Sequence, residues 1–233
     1  MKVLIVDVET TGLNYKTDNI TEIAAITANL STKKIENQVS GLIYTITNPE
    51  AEKITGITQE MLDSIKYSDF NPFDLVNEMV KMNECIVAHN AQFDRSFLKA
   101  KGHNLGNLEW ICSYKDIKYN INTQNKKLAT LAEAYNISSE GAHRSLADVM
   151  MVANILFKID GIENQIKNSL INKSKPLHLL KAEVSYDQRN LAKQAGFNWN
   201  PAKKSWLKSE HANFEELEDL IHSFPFKVKY IYE

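Results

Sequence analysis

Lys2-Val3-Leu4-Ile5-Val6-Asp7-Val8-Glu9-Thr10-Thr11-Gly12 is the stretch on which the fold turns. Its apolar run is too short for a helix and is closed by the turn-like Thr10-Thr11-Gly12, as expected of a buried strand. Residues two apart on a strand share a face, so Asp7 and Glu9 project side by side from its end. Ionised carboxylates in such surroundings are costly unless a cation or hydrogen bonds compensate. Taken alone, the pair could equally cap nearby backbone or face a lysine or arginine.

Outward from this strand, Ile20 to Leu30 and Ile35 to Thr45 are rich in β-branched residues and separated by Ser31-Thr32-Lys33-Lys34. They predict two further strands and hence a three-stranded antiparallel meander. After Asn48-Pro49 the sequence is mixed around Gly56, and then Phe73, Val76, Met79 and Val80 recur at helical spacing behind Asn71-Pro72. Cys85 to Ala88 is a second short apolar run, followed by a helix marked by Phe93, Phe97, Leu98 and Lys101. Leu128, Leu131, Ala132 and Tyr135 make one apolar stripe, and Leu146, Val149, Met150, Ala153, Leu156 and Phe157 another. A meander followed by strand–helix units predicts an α/β fold, a mixed sheet of antiparallel and parallel strands flanked by helices.

Three other polar residues stand out. Asp94 falls in the first turn of its helix, where the helix dipole alone is reason enough for an acid. Asp148 lies among apolar residues, with Ser145 placed to form a Ser-x-x-Asp capping box. His143 is five positions before Asp148; in one continuous helix the two would lie about 140° apart, so His143 belongs in the loop before the helix. For a lone histidine there, a solvated loop residue is the simpler reading.

Asp7-Val8-Glu9-Thr10-Thr11-Gly12-Leu13, His89-Asn90-Ala91-Gln92-Phe93-Asp94 and His143-Arg144-Ser145-Leu146-Ala147-Asp148 resemble, in order and separation, the three signatures of the DEDDh exonucleases. The resemblance covers roughly residues 1–160 and implies an RNase H-like fold. It also implies that Asp7, Glu9, Asp94 and Asp148 hold two Mg²⁺ or Mn²⁺ ions, for which oxygen-only ligands are suited. His143 would take the proton from the attacking water, since imidazole titrates in the neutral range. The implied reaction releases 5′-mononucleotides from a 3′ end. Thr10, Thr11, Gly12 and Leu13 would lie along the terminal nucleotide, Leu13 against its base, with the bare backbone at Gly12 near the 3′-hydroxyl. Asn90 and Phe93 would shape the path of the next nucleotide, although Phe93 also has helical spacing with Phe97 and reads as core. Glu22 matches a recurrent acid of the family and is assigned a supporting hydrogen-bonding role against the alternative of a surface charge. Ser145 stands where the family often has alanine, a departure expected to leave the chemistry untouched.

The chain has 233 residues, enough for one domain and a small appendage. Residues 1–160 are assigned to the nuclease-like domain, the polar stretch 161–176 to a linker, and 177–233 to a small module that is a candidate for nucleic-acid binding. The net charge of −2 excludes a molecule-wide basic surface, so contact with nucleic acid must be local. Residues 186–208 carry five basic and one acidic residue around Trp199 and Trp206. In so small a module Phe197, Trp199 and Trp206 are expected to form the core, leaving Lys203, Lys204 and Lys208 at the surface. Trp110-Ile111-Cys112 and the segment Val184 to Lys208 further resemble exodeoxyribonuclease X and its relatives, which places DNA ahead of RNA as the partner. An exoribonuclease and a non-catalytic nucleic-acid-binding accessory protein are the alternatives. The apolar run before Asp7 is too short for a signal-peptide core, and no stretch approaches a membrane span. With only Cys85 and Cys112, neither a disulfide framework nor a zinc knuckle is indicated, and a reduced cytoplasmic compartment is expected.

Overall fold

The computed structural model describes residues 1–231. Chain contacts divide it into a unit of residues 1–167 and a second of residues 168–233. The first is built on strands β1 (Lys2–Thr10), β2 (Ile20–Asn29) and β3 (Lys34–Leu42), the meander expected from their β-branched content. Helices α1 (Pro49–Thr55) and α2 (Gln59–Ser64) follow. Sequence periodicity did not reveal them, because each is under two turns; their starts are set by the side chains of Asn48 and Thr58, which accept from Ala51 N–H and Met61 N–H. Next come α3 (Pro72–Val80), β4 (Cys85–Ala88), α4 (Gln92–Ala100), β5 (Trp110–Cys112), the single turn α5 (Ser113–Asp116), α6 (Leu128–Ala134) and α7 (Ser145–Lys158).

The sheet order is β3-β2-β1-β4-β5, antiparallel within the meander and parallel from β1 to β5. β1 is therefore central, and Val3, Leu4 and Ile5 are fully buried. On one face Leu4, Val6 and Val8 pack with Phe73, Val76 and Met79 of α3 and with Phe97 and Leu98 of α4. Asp7 and Glu9 alternate to the other face, and the long α7 packs across β1 and β2.

The stretch expected as a linker is for the most part a helix, α8 (Ile162–Lys173). Its Asn, Gln and Lys residues are compatible with a solvated helix face, while Ile162 and Ile166, one turn apart, are buried.

The second unit comprises β6 (Leu177–Glu183), α9 (Arg189–Gln194), β7 (Asn198–Asn200), β8 (Ser205–His211), α10 (Phe214–Ser223) and β9 (Lys227–Ile231). Its antiparallel sheet runs β7-β8-β6-β9. Phe197 is buried and meets Phe224 and Phe226 edge-on, with Leu180, Ala182, Leu217 and Val228 around them. The expectation of a tryptophan core needs correcting here. Trp206 is half-buried and Trp199 is 50% exposed, because β7 is a three-residue edge strand and the phenylalanines already fill the centre. Among the described residues no helix is long and apolar enough to cross a membrane.

Candidate active site

The acidic site forms where β1 ends, beside a register shift between Glu9 and Thr10 that bends the strand out of its ladder with β2. Carboxylate oxygens of Asp7, Glu9 and Asp148 lie within 4.8 Å of one another. Asp148 reaches them from the first turn of α7. Asp94 enters from the first turn of α4, 1% exposed, with one oxygen accepting the Val8 N–H at 3.2 Å. All four sequence-assigned acids thus converge, from three elements far apart in the chain.

Their charges are poorly compensated. Burial, and then the Asp94, Asp148 and Glu9 carboxylates, hold the Asp7 carboxyl well above the usual carboxylate range. Burial with Asp148 and Glu22 beside it lifts Glu9 to about 8. Asp94 rises to about 7 for want of water, although two main-chain N–H groups oppose the shift. Burial carries Asp148 to about 6, against the opposing influence of the His143 imidazole and main-chain N–H. One buried oxygen each of Asp94 and Asp148 has no hydrogen-bond partner. Buried polar atoms are seldom left this way, and like charges gathered without a cation call for one. Hard oxygen donors of this kind fit a divalent metal.

His143 lies off the helix, as its spacing from Asp148 demanded. It occupies an exposed turn with φ 66°, two residues before α7 begins at Ser145. The expected Ser145–Asp148 capping box does not form. Ser145 is the first helical residue rather than the cap, and its hydroxyl donates to Glu22 at 2.9 Å instead.

Glu22 is the member of the site whose weight the sequence concealed. It sits directly across from Glu9 in the β1–β2 ladder and is 2% exposed. Arg144 donates to its two oxygens at 2.6 and 3.2 Å, and the Ser145 N–H and hydroxyl each donate at 2.9 Å. This carboxylate holds Arg144 and Ser145, where the turn bearing His143 passes into the first turn of α7 that bears Asp148. The supporting role assigned to Glu22 thus has a defined geometry, and Ser145, read as incidental, belongs to it. Arg144 went unremarked because a single arginine in a loop carries no sequence signal of its partner.

The loop after β1 divides the other residues. Thr10 and Thr11 are buried and their hydroxyls serve the turn itself, Thr10 donating to the Gly12 carbonyl at 2.6 Å and Thr11 accepting from Asn19 N–H at 3.0 Å. At Gly12 a Cβ would stand 2.5 Å from the Asp18 carboxylate, which receives the Asn14 N–H; that contact is a packing reason for glycine here. Leu13, 86% exposed, lines an open depression of about 280 Å³ with Tyr15, Asn90, Gln92 and Phe93. Asn90 adopts φ 67°, turning the chain into α4. The Phe93 ring lies 4.8 Å from Phe97 against the core, as its helical spacing predicts, and Phe93 also lines the depression.

Residues 4–156 match the sequence profile of the exonuclease family, and residues 178–229 match a domain of unknown function, DUF8626. The PolC-type DNA polymerase III of Thermotoga petrophila is 28% identical over 195 residues, 78% of this chain and 13% of that protein. Ribonuclease T of Escherichia coli is 33% identical over 112 residues, 42% of this chain and 52% of the enzyme. The chain therefore corresponds to a small part of the polymerase and about half of the ribonuclease. Among solved structures, the nuclease domain of 3′hExo, a DEDDh family member bound to rAMP, superposes with a TM-score of 0.55 at 19% identity, covering 70% of this chain and 94% of that one. Exonuclease I of E. coli in complex with a dT13 oligonucleotide gives 0.58 at 15% identity, covering 99% and 63%. These two share the RNase H-like fold. Because the matched profile takes in well over half of the residues, and the motifs inside it are those that fold onto one carboxylate cluster, the chain belongs to the DEDDh exonuclease family.

Proposed function

We propose that the chain is a 3′→5′ exonuclease that hydrolyses phosphodiester bonds at DNA 3′ ends and releases 5′-mononucleotides. The observation that carries this reading is the convergence of Asp7, Glu9 and Asp148, with Asp94 beside them, next to a histidine held on an exposed turn. Two Mg²⁺ or Mn²⁺ ions are the proposed cofactors, which Asp7, Glu9, Asp94 and Asp148 would hold. When bound, such ions make water a stronger nucleophile and stabilise the charge that develops on the phosphate oxygens. The chain's own residues do the rest. His143 accepts the proton of the attacking water on an imidazole nitrogen and, being exposed, passes it to solvent. Leu13 offers an apolar surface to the terminal base, and Asn90 and Phe93 border the course of the strand. Thr10 and Thr11 act by holding that loop in shape, and Gly12 by admitting Asp18.

The resemblance of Val184 to Lys208 to exodeoxyribonuclease X and its relatives supports DNA as substrate. Similarity to ribonuclease T favours a second reading, a 3′→5′ exoribonuclease with the same site. The test is release of label from 3′-terminally labelled DNA and RNA of equal sequence, single- and double-stranded, in Mg²⁺, Mn²⁺ or EDTA, beside Asp7→Ala. DNA should lose labelled 5′-mononucleotide, with no release in EDTA or from the variant. Release that persists in EDTA overturns the metal assignment, and faster release from RNA establishes the second reading. His143→Ala should retain metal binding and lose most turnover.

A further inference from the structure

The second unit carries an aromatic site that its fold does not need. Trp199 of β7 stands opposite Trp206 of β8, with ring centroids 5.7 Å apart at 61°. Trp206 packs against the phenylalanine core, but half of Trp199 faces solvent. An indole left this open gives up much of the burial energy it could contribute to a small module. Both rings line an open depression of about 350 Å³ together with Lys181, Glu183, Lys204 and Ser205. Two lysines, Lys181 and Lys204, line the depression, and its one carboxylate, Glu183, is already engaged by Lys227 and Lys229. Lys204 is exposed on the turn between β7 and β8. A flat indole face with cations at its rim is complementary to an unpaired base and its phosphates, and base–indole stacking tolerates any sequence.

We propose that Trp199, backed by Trp206 and flanked by Lys204 and Lys181, is a stacking site for an unpaired base of single-stranded nucleic acid, additional to the active site. The proposal rests on the reading that the chain acts on nucleic acid. Its consequence is enzymatic: a strand held by the second unit is tethered for successive cleavages, so the site acts on long substrates and not on short ones.

The test uses the full chain, Trp199→Ala, Trp199→Phe and Lys204→Gln. Affinity for fluorescently labelled dT and rU oligomers of about 20 nucleotides is measured in EDTA, where no turnover complicates it, with a blunt duplex as competitor. Trp199→Ala should weaken single-strand binding about five-fold or more, and Trp199→Phe should restore most of it. Lys204→Gln should flatten the salt dependence. Binding by dT only, rU only or both identifies the strand while supporting the site. Equal affinity in Trp199→Ala and the parent chain overturns the proposal, as does a blunt duplex that competes as well as single strands. A parallel assay with the p-nitrophenyl ester of thymidine 5′-monophosphate, too small to span two sites, should show unchanged turnover in Trp199→Ala with Mn²⁺. If the parent chain fails to cleave this ester or any oligomer, the nuclease reading fails, while the binding arm still decides the stacking site.

Discussion

Glu9 and Glu22 face each other across two neighbouring strands, are both largely withdrawn from water, and have opposite fates. Glu22 has four hydrogen bonds from Arg144 and Ser145 to compensate its charge. Glu9 has three other carboxylates for company, and Arg144, the one cation that favours its ionised form, is already committed to Glu22. The contrast separates two uses of a buried acid. A carboxylate whose bonds are complete holds structure together. One whose neighbours repel it stores a demand that only a ligand can meet, at the expense of stability in its absence.

The largest expected break in this comparison is Asp148→Asn. Turnover should fall by about a thousand-fold or more, as for loss of a central electrostatic group, while the melting temperature in EDTA rises because one repelling charge has gone. Parallel loss of activity and stability would place Asp148 with Glu22 instead. Glu22→Ala should have the reverse sign for stability. It strands the Ser145 N–H and hydroxyl and frees Arg144, costing about 2–4 kcal/mol by denaturant titration. Turnover should fall too, through kcat, since His143 and Asp148 lose their support; Glu22→Gln should recover part of both.

A smaller effect is expected from pH alone. The raised carboxyls titrate at about 6 for Asp148, about 7 for Asp94 and about 8 for Glu9, above the ordinary values near 4. Protonated acids are tolerated by burial and ionised ones are not. The stability they allow is therefore fully present below their unfolded values and is lost as pH rises through 6 to 8. In EDTA the melting temperature should decline between pH 5 and pH 9, and Mn²⁺ should reduce that decline. A flat profile in EDTA would mean the cluster is already compensated. Smallest of all, Arg144→Lys exchanges a two-pronged contact for one at a side chain 40% exposed, and should cost about 1 kcal/mol or less with Glu22's other bonds intact.

Much of the fold could be read in advance where the chain repeats a pattern. β1 to β3 and β4 show as short apolar or β-branched runs, and α3, α4, α6 and α7 as apolar stripes, because each buries apolar side chains in the first unit. Elements stabilised by a cap or a few contacts left no such trace: α1 and α2 start on Asn48 and Thr58, β5 is three residues long, and α8 buries only Ile162 and Ile166 in a largely polar sequence. Trp199 departs from its expected core position for a related reason. Composition says that a small module needs aromatics inside but not which ones, and the edge position of β7 left Trp199 outside.

By itself, the sequence determined the chemical inventory. The residue types at Asp7, Glu9, Asp94, His143 and Asp148, and their order along the chain, identify the family, and the five-residue spacing put His143 off the helix. Only the tertiary structure decided how those groups are held. The pairing of Glu22 with Arg144 and Ser145 joins residues more than 120 positions apart, and the orphaned oxygens of Asp94 and Asp148 exist only once water is excluded. Local spacing fixes which face a side chain takes on its own element. Partnership and desolvation are set by what the rest of the chain brings alongside.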